Sequence, residues 1–563
     1  MRRLLLAALP LAALAACQKD TPPAQSAAAP AAPAPAAAPA APERAHTFKP
    51  AIDEADFRKH VETLASDAFE GRAPGSAGER YTTTYLQSEF ERIGIAPGNG
   101  DSYFQSVPMV ETTADPATTL TIAAGDQTQT LAMGTDMVVG TRTGEPVVKV
   151  DASDLVFVGY GVVAPEANWN DYEGLDVKGK TVVVLVNDPG FLRKDPELFK
   201  GPAMTYYGRW TYKFEEAARQ GATGALIVHD TEPAAYGWDV VKNSWSGAQF
   251  ELPPSEDPSP RLRFEGWVTG EAASKLFAAT GKDLAAMKLA ADARGFKPVA
   301  LDAKASLELK STTRSKSSDN VIGILRGTTK PDEAVVYMAH WDHLGKHDGE
   351  PGDNIYNGAI DNATGVAGVL EIAEAFANAE TKPVRSVVFF LPTLEESGLL
   401  GSKYYAAHPP IPLEKTVAAI NMDAMQVAGK SKDVVVIGYG QSTLEDLLAE
   451  AVKPQDRVTV AEPTPERGYY FRSDHFNLAK QGVPALYAKA GIDLRDGGSA
   501  AGTAAMDGYT KDRYHKPADQ YDASWDVSGV IEDLVALHEV GRRVAAGEAE
   551  PAWRETSEFA AAR

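Results

Sequence analysis

The 563-residue sequence contains one cysteine, Cys17, and that scarcity excludes two ways of holding a protein together. A single thiol cannot close an intramolecular disulfide, so the fold rests on its apolar cores. Zinc sites built on cysteine are excluded by the same count, which leaves His, Asp and Glu as the side chains able to hold a metal. Basic residues are also in deficit, with 55 Lys and Arg against 77 Asp and Glu and a formal net charge of −22. That balance repels a phosphate backbone and argues against nucleic acid as a partner. After the first few residues no long apolar run appears, so the remainder is expected to be soluble. At 60.0 kDa the chain exceeds one ordinary core, and two domains with an unstructured tail are expected.

Met1-Arg2-Arg3 and the apolar run Leu4 to Ala16 have the charged start and short apolar stretch of a secretory signal. A bilayer span needs about 20 apolar residues, more than this run supplies. Leu14-Ala15-Ala16-Cys17 resembles a bacterial lipobox, which implies cleavage before Cys17 and a lipid on its sulfur. Gln18 follows where Asp would retain many such proteins in the inner membrane. The expectation is an exported lipoprotein of the bacterial outer membrane facing the periplasm, its membrane contact limited to that N-terminal lipid anchor. Residues 18–50 are nearly all Ala and Pro and read as a semi-extended tether.

Further along, Phe57, Val61 and Leu64, then Tyr81, Tyr85 and Leu86, fall at helical spacings around a turn at Glu70-Gly71-Arg72-Ala73-Pro74. These aromatics are read as core. From about 141 to 300 apolar strands dominate, such as Leu155 to Val158, Thr181 to Val186 and Ala225 to Val228. His229 is the only histidine between His46 and His340, so this module is expected to carry no chemistry. From about Leu307 strands and helices alternate, with strands at 320–325, 334–338, 384–391, 417–422, 434–437 and 485–488. Such alternation predicts an α/β fold, a mostly parallel mixed sheet covered by helices on both faces. Ligand-binding groups then belong at the carboxyl ends of the strands.

Five segments place acidic or imidazole residues at that edge. His340 and Asp342 follow the strand 334–338, with Asp342 placed to accept the second ring N–H of His340. Asp361 lies among small residues ahead of a helix. Glu395 and Glu396 follow the strand 384–391, and Asp423 ends the strand 417–422. His515 lies in Arg513-Tyr514-His515-Lys516-Pro517-Ala518-Asp519. Each alone reads equally as a surface group or helix cap; their joint placement is what carries weight. His343 and His347 near the first segment are read as outer contacts or surface, and Arg472-Ser473-Asp474-His475 as a helix cap or pocket border.

His340-Trp341-Asp342-His343, Ala359-Ile360-Asp361-Asn362-Ala363-Thr364-Gly365, Glu395-Glu396-Ser397-Gly398, Asn421-Met422-Asp423 and Tyr514-His515 together resemble the secreted bacterial dizinc leucyl-aminopeptidase family. That family shares its zinc exopeptidase fold with glutamate carboxypeptidases, the transferrin receptor and glutaminyl cyclases. The resemblance spans roughly 53 to 544 and follows the family's motif order, departing at Thr393-Leu394, where many relatives carry a small residue. It implies two zinc ions (Zn2+), one held by His340 and Asp423 and one by Glu396 and His515, with Asp361 bridging and Glu395 as general base. It further implies a zinc exopeptidase, a hydrolase that removes N-terminal residues from peptide substrates. Residues 51–140 and 301–550 would then form the metallopeptidase domain. Residues 141–300 are similar to an inserted, small β-rich protease-associated domain. Two alternatives remain: a carboxypeptidase of the same fold, for which Arg467, Arg472 and Arg513 are available, and a non-enzymatic receptor-like binding protein. Oligomeric state is not encoded in any of these features.

Overall fold

The computed structural model describes residues 47–560 apart from 202, 348 and 350. The expected signal (1–17) and most of the Ala/Pro tether (18–50) lie outside the described residues. Seventeen strands of the described chain join in one hydrogen-bonded mixed sheet flanked by helices, an α/β fold, with two further two-stranded pairs beside it.

Beyond residue 330 the central strands of one half are parallel. The strand Lys330–Met338 lies between Arg385–Leu391 and Thr416–Asn421, and Ala485–Ala490 adds beyond the latter, all in parallel. Residues 334–338, 387–391, 417–420 and 485–488 of these strands are apolar or aromatic and buried because helices cover both faces, as parallel sheets require. One face packs helices Thr364–Ala377 and Ser528–Ala545 around Val335, Tyr337, Val387 and Leu534. The other packs Met338, Phe390, Tyr405 and Phe476. Each fully buried Val, Leu or Phe contributes roughly 1.5–3 kcal/mol, so these two layers fix the strand ends firmly. The N-terminal helices form at Glu54–Leu64 and Ala77–Ile93, and Phe57, Val61, Leu64 and Leu86 join that core.

One long strand, Val299–Leu325, runs from this half into the rest. Its second part pairs with Phe104–Ala114 and then with Arg385–Leu391. Its first part pairs with Val147–Phe157 and Thr119–Ala124. Around that first part a further set of strands has its own buried clusters, centred on Phe157, Val183, Leu226 and Phe264 and on Val182, Ala225 and Trp267. Sequence periodicity places this strand only from residue 320, yet Leu301, Ala303, Ala305, Leu307 and Leu309 alternate with exposed or half-exposed neighbours from the start. The strand network of this second region runs from 119 to 310, wider than the segment 141–300 picked out by composition.

Candidate metal centre

Five strand-edge segments converge where the parallel strands end. Met338 closes one strand and leads into His340, which is 1% exposed. Asn421 closes its neighbour and leads to Asp423. Glu395 and Glu396 lie in the loop after Leu391, and Asp361 lies in the irregular turn ahead of helix Thr364–Ala377. His515 comes from the segment after helix Gly498–Asp512.

The geometry divides these groups in two. His340 Nε2 lies 3.3 Å from Asp361 Oδ1 and 3.7 Å from Asp423 Oδ1. His515 Nε2 lies 3.5 Å from Asp361 Oδ2 and 3.1 Å from Glu396 Oε2. The two oxygens of Asp361 therefore face different imidazoles. Ligand atoms of His340, Asp361 and Glu396 lie within 4.8 Å of one another, as do those of His340, Glu395 and Asp423. Glu395 thus stands among potential ligands, and proximity alone does not separate it from them. What distinguishes it is that imidazole–carboxylate contacts within 4 Å link the other five residues to one another and leave Glu395 out.

Charge follows this arrangement. Burial pushes Glu395 well above the ordinary carboxylate range, reinforced by the charges of Glu396 and Asp423 against the opposing pull of His340. Burial also acts to raise Asp361 and Glu396, but His340 and His515 hold Asp361 well below its usual range, and His515 and His343 bring Glu396 to about 2. Desolvation opposes charge on His515, yet Glu396 and Asp361 lift it to about 10. A field that draws protons this strongly onto imidazoles would draw a divalent cation in their place. The donors are imidazole nitrogens and carboxylate oxygens with no Lys or Arg among them, a set that fits zinc.

Three groups that the sequence reading did not single out hold the centre in shape. Arg72 is fully buried, and its guanidinium donates to the carbonyls of Leu64, Trp341, Asn357 and Gly358, at 2.6–2.8 Å. It joins the His340 and Asp361 loops, and desolvation brings it down to about 10 despite the carboxylates around it. Asp519 accepts the backbone N–H groups of Ile360 and Asp361 at 3.0–3.2 Å, which orients the Asp361 carboxylate. Asn362 Oδ1 accepts from the Gly365 and Ala424 N–H groups and so links the Asp361 and Asp423 loops. Gly358 has φ +53°, and a Cβ there would meet the Asp361 carbonyl at 2.2 Å and the His343 ring at 2.6 Å, which explains the glycine. Arg72→Met removes the guanidinium donor from four buried carbonyls, of which Gly358 keeps the Ala363 N–H at 3.2 Å. Urea unfolding should show a loss of about 3 kcal/mol, whereas a loss below about 1 kcal/mol would remove Arg72 from this role.

One expectation changes in detail. His340 Nδ1 meets the backbone oxygen of Asp342 at 3.1 Å, while the Asp342 carboxylate stands 3.8 Å away. That carboxylate instead accepts the Glu395 N–H at 3.1 Å, so Asp342 braces the Glu395 loop as well as the His340 ring. His343 is buried, with Nδ1 2.6 Å from Glu396 Oε1, and is an outer contact of the centre. His347 packs at a tilt against Tyr356, 4.3 Å between ring centroids. His229 bonds the Tyr236 carbonyl at 3.0 Å, a packing role. Of the three arginines weighed, Arg467 and Arg472 line the cleft beside the centre and Arg513 lies over Trp525.

A buried carboxylate and imidazole cluster at the carboxyl ends of a parallel sheet, with an extra carboxylate beside it, is the layout of a metal-dependent hydrolase. Residues 320–538 match the model of Peptidase family M28. It shares its fold with the aminopeptidase from Aneurinibacillus sp. strain AM-1, at TM-score 0.51 and 20% identity over 88% of this chain and 94% of that one. A 113-residue stretch is 34% identical to "Aminopeptidase NAALADL1" of Mus musculus, covering 19% of this chain and 14% of that protein. A 128-residue stretch is 35% identical to "Glutamate carboxypeptidase 2 homolog" of Caenorhabditis elegans, covering 22% and 15%. The chain thus matches only about a seventh of the length of these two relatives.

Proposed function

We propose that the chain is a dizinc metallo-aminopeptidase that hydrolyses the first peptide bond of substrates with a free N-terminus. The observation that carries this is the split of Asp361, whose two carboxylate oxygens face His340 and His515 separately. His340, Asp361 and Asp423 would hold one zinc, and Asp361, Glu396 and His515 the other. Zinc bound there supplies Lewis acidity toward water and the peptide carbonyl.

Glu395 is the general base in this reading. Its proton affinity is raised by burial and by neighbouring carboxylates, which suits it to accept a proton from the attacking water. It then delivers that proton to the leaving amine. Asp342 holds the Glu395 backbone in place through its N–H, and Arg72 and Asp519 keep the metal-binding loops in register. The name of the fold relative and that of the mouse relative support the aminopeptidase assignment, whereas the C. elegans relative's name supports the carboxypeptidase branch.

The N-terminal sequence supports export and anchoring by a lipid on Cys17, facing the periplasm. The strand-rich region after residue 119, with its own cores, supports a protease-associated insert. Cleavage of matched free and N-acetylated peptides tests the reading. Turnover confined to free N-termini is the expected result. Equal cleavage of acetylated peptides would select a carboxypeptidase instead.

A further inference from the structure

Glu395 and Glu396 lie in a short loop bounded at both ends by leucines with an unusual backbone. Leu394 has φ +57° and Leu399 φ +63°, both in the left-handed region. There a Cβ crowds the following carbonyl, so glycine adopts the conformation freely and a bulky residue seldom does. A leucine stays left-handed only where its surroundings over-determine it, and such positions gather at functional sites.

Hydrogen bonds close the base of the loop. The Leu400 N–H donates to the Leu394 carbonyl at 3.0 Å, and the Gly401 N–H donates to the Thr393 carbonyl at 3.1 Å. A Cβ on Gly401 would meet that Thr393 oxygen at 2.1 Å, so the two limbs touch there. The Thr393 N–H in turn donates to Asn320 Oδ1 at 3.0 Å. At the far end, the Leu399 carbonyl accepts from Asn477 Nδ2 at 3.0 Å and from Ser402 Oγ at 3.1 Å. Leu399 is thus fastened through its backbone.

Leu394 is fastened through its side chain as well. It is fully buried in a small apolar cluster of its own, with Val107 and Met109 of strand Phe104–Ala114, Leu252 just past strand Ala248–Glu251, and Leu400 on the returning limb. This is the place where the sequence carries Thr393-Leu394 and many relatives carry a small residue. A small side chain here would leave a cavity in the cluster and nothing to hold the turn.

We infer that Leu394 is a positioning residue: anchored among Val107, Met109, Leu252 and Leu400, it holds the left-handed turn that aims Glu395 at the metal centre. The inference rests on Glu395 being the general base. Glu395 is the next residue along the chain, and a loop free to turn at Leu394 would carry its carboxylate away from the water it deprotonates. Leu394 itself meets neither metal nor substrate and acts through Glu395 alone.

The test measures kcat, KM and zinc content of the zinc-loaded full chain on a peptide with a free N-terminus, in wild type, Leu394→Ala and Leu394→Met. Leu394→Ala should lose about a hundredfold in kcat, the scale of a misplacement of about 1 Å, with KM and zinc content unchanged. Leu394→Met refills the cluster and should stay within about threefold of wild type. Glu395→Gln with and without Leu394→Ala separates aim from general damage. With the base already removed, adding Leu394→Ala should lower kcat by less than about threefold. A further hundredfold loss in that background overturns the inference. So does an unchanged kcat in Leu394→Ala, or a Leu394→Met as impaired as Leu394→Ala. Should Leu394→Ala not fold, Leu252→Ala opens the same cluster from outside the loop and is read by the same criteria. If wild type cleaves only acetylated peptides, the aminopeptidase reading fails and the same comparison is made on those. If it cleaves neither, crystal structures of zinc-loaded wild type and Leu394→Ala decide: a displaced Glu395 carboxylate supports the inference, and an unmoved one overturns it.

Discussion

Glu395→Gln is expected to lower kcat by about a thousandfold while both zinc ions stay bound, the loss typical of a removed general base. The substitution keeps the size of the side chain and leaves the backbone N–H bond to Asp342 in place, so the loop should hold its path. It removes the one carboxylate of the cluster that makes no close contact with an imidazole. KM for a free N-terminal peptide should change little, because the substitution removes a proton acceptor and no contact to bound substrate. Zinc content of the purified variant, measured beside kcat, separates this account from its main rival. Loss of a metal together with activity would make Glu395 a ligand, which its position among His340 and Asp423 makes the sharpest alternative.

Asp361→Ala should be more severe in a different way. One side chain faces both imidazoles, so its loss should weaken both metal positions together and lower zinc content from two per chain to one or none. Activity should fall by on the order of a thousandfold or more, since carbonyl polarisation and oxyanion stabilisation go with the metal. Asp423→Ala offers the contrast: its carboxylate contacts only His340 in the cluster, so the second position should keep its zinc. Equal metal loss in the two variants would contradict the bridging role of Asp361.

The gathering of His340, Asp361, Glu396, Asp423 and His515 at one place was legible in the sequence for a physical reason. His340, Glu396 and Asp423 each follow an apolar run that can only be a buried strand, and strand ends in a parallel sheet converge on one edge. The role of Arg72 was not legible, because its partners, at Trp341, Asn357 and Gly358, lie more than 260 residues away along the chain. Its segment, rich in Gly and Pro, reads locally as a turn, which it is. Asp519 could have been found: it lies four residues after His515 in the same motif. Its function is to accept backbone N–H groups from the Asp361 loop, and no spacing rule encodes that. At Asp342 the sequence pointed to the right residue and the wrong atom, because the backbone oxygen lies nearer to His340 than the carboxylate does.

The central claim is a pair of zinc positions that share Asp361. Anomalous scattering at the zinc edge, from crystals of the zinc-loaded chain with metal content measured on the same protein, tests it most directly. The account predicts two zinc ions per chain, one among His340, Asp361 and Asp423 and one among Asp361, Glu396 and His515. A single zinc in an active enzyme, or a second zinc that does not touch Asp361, would contradict it.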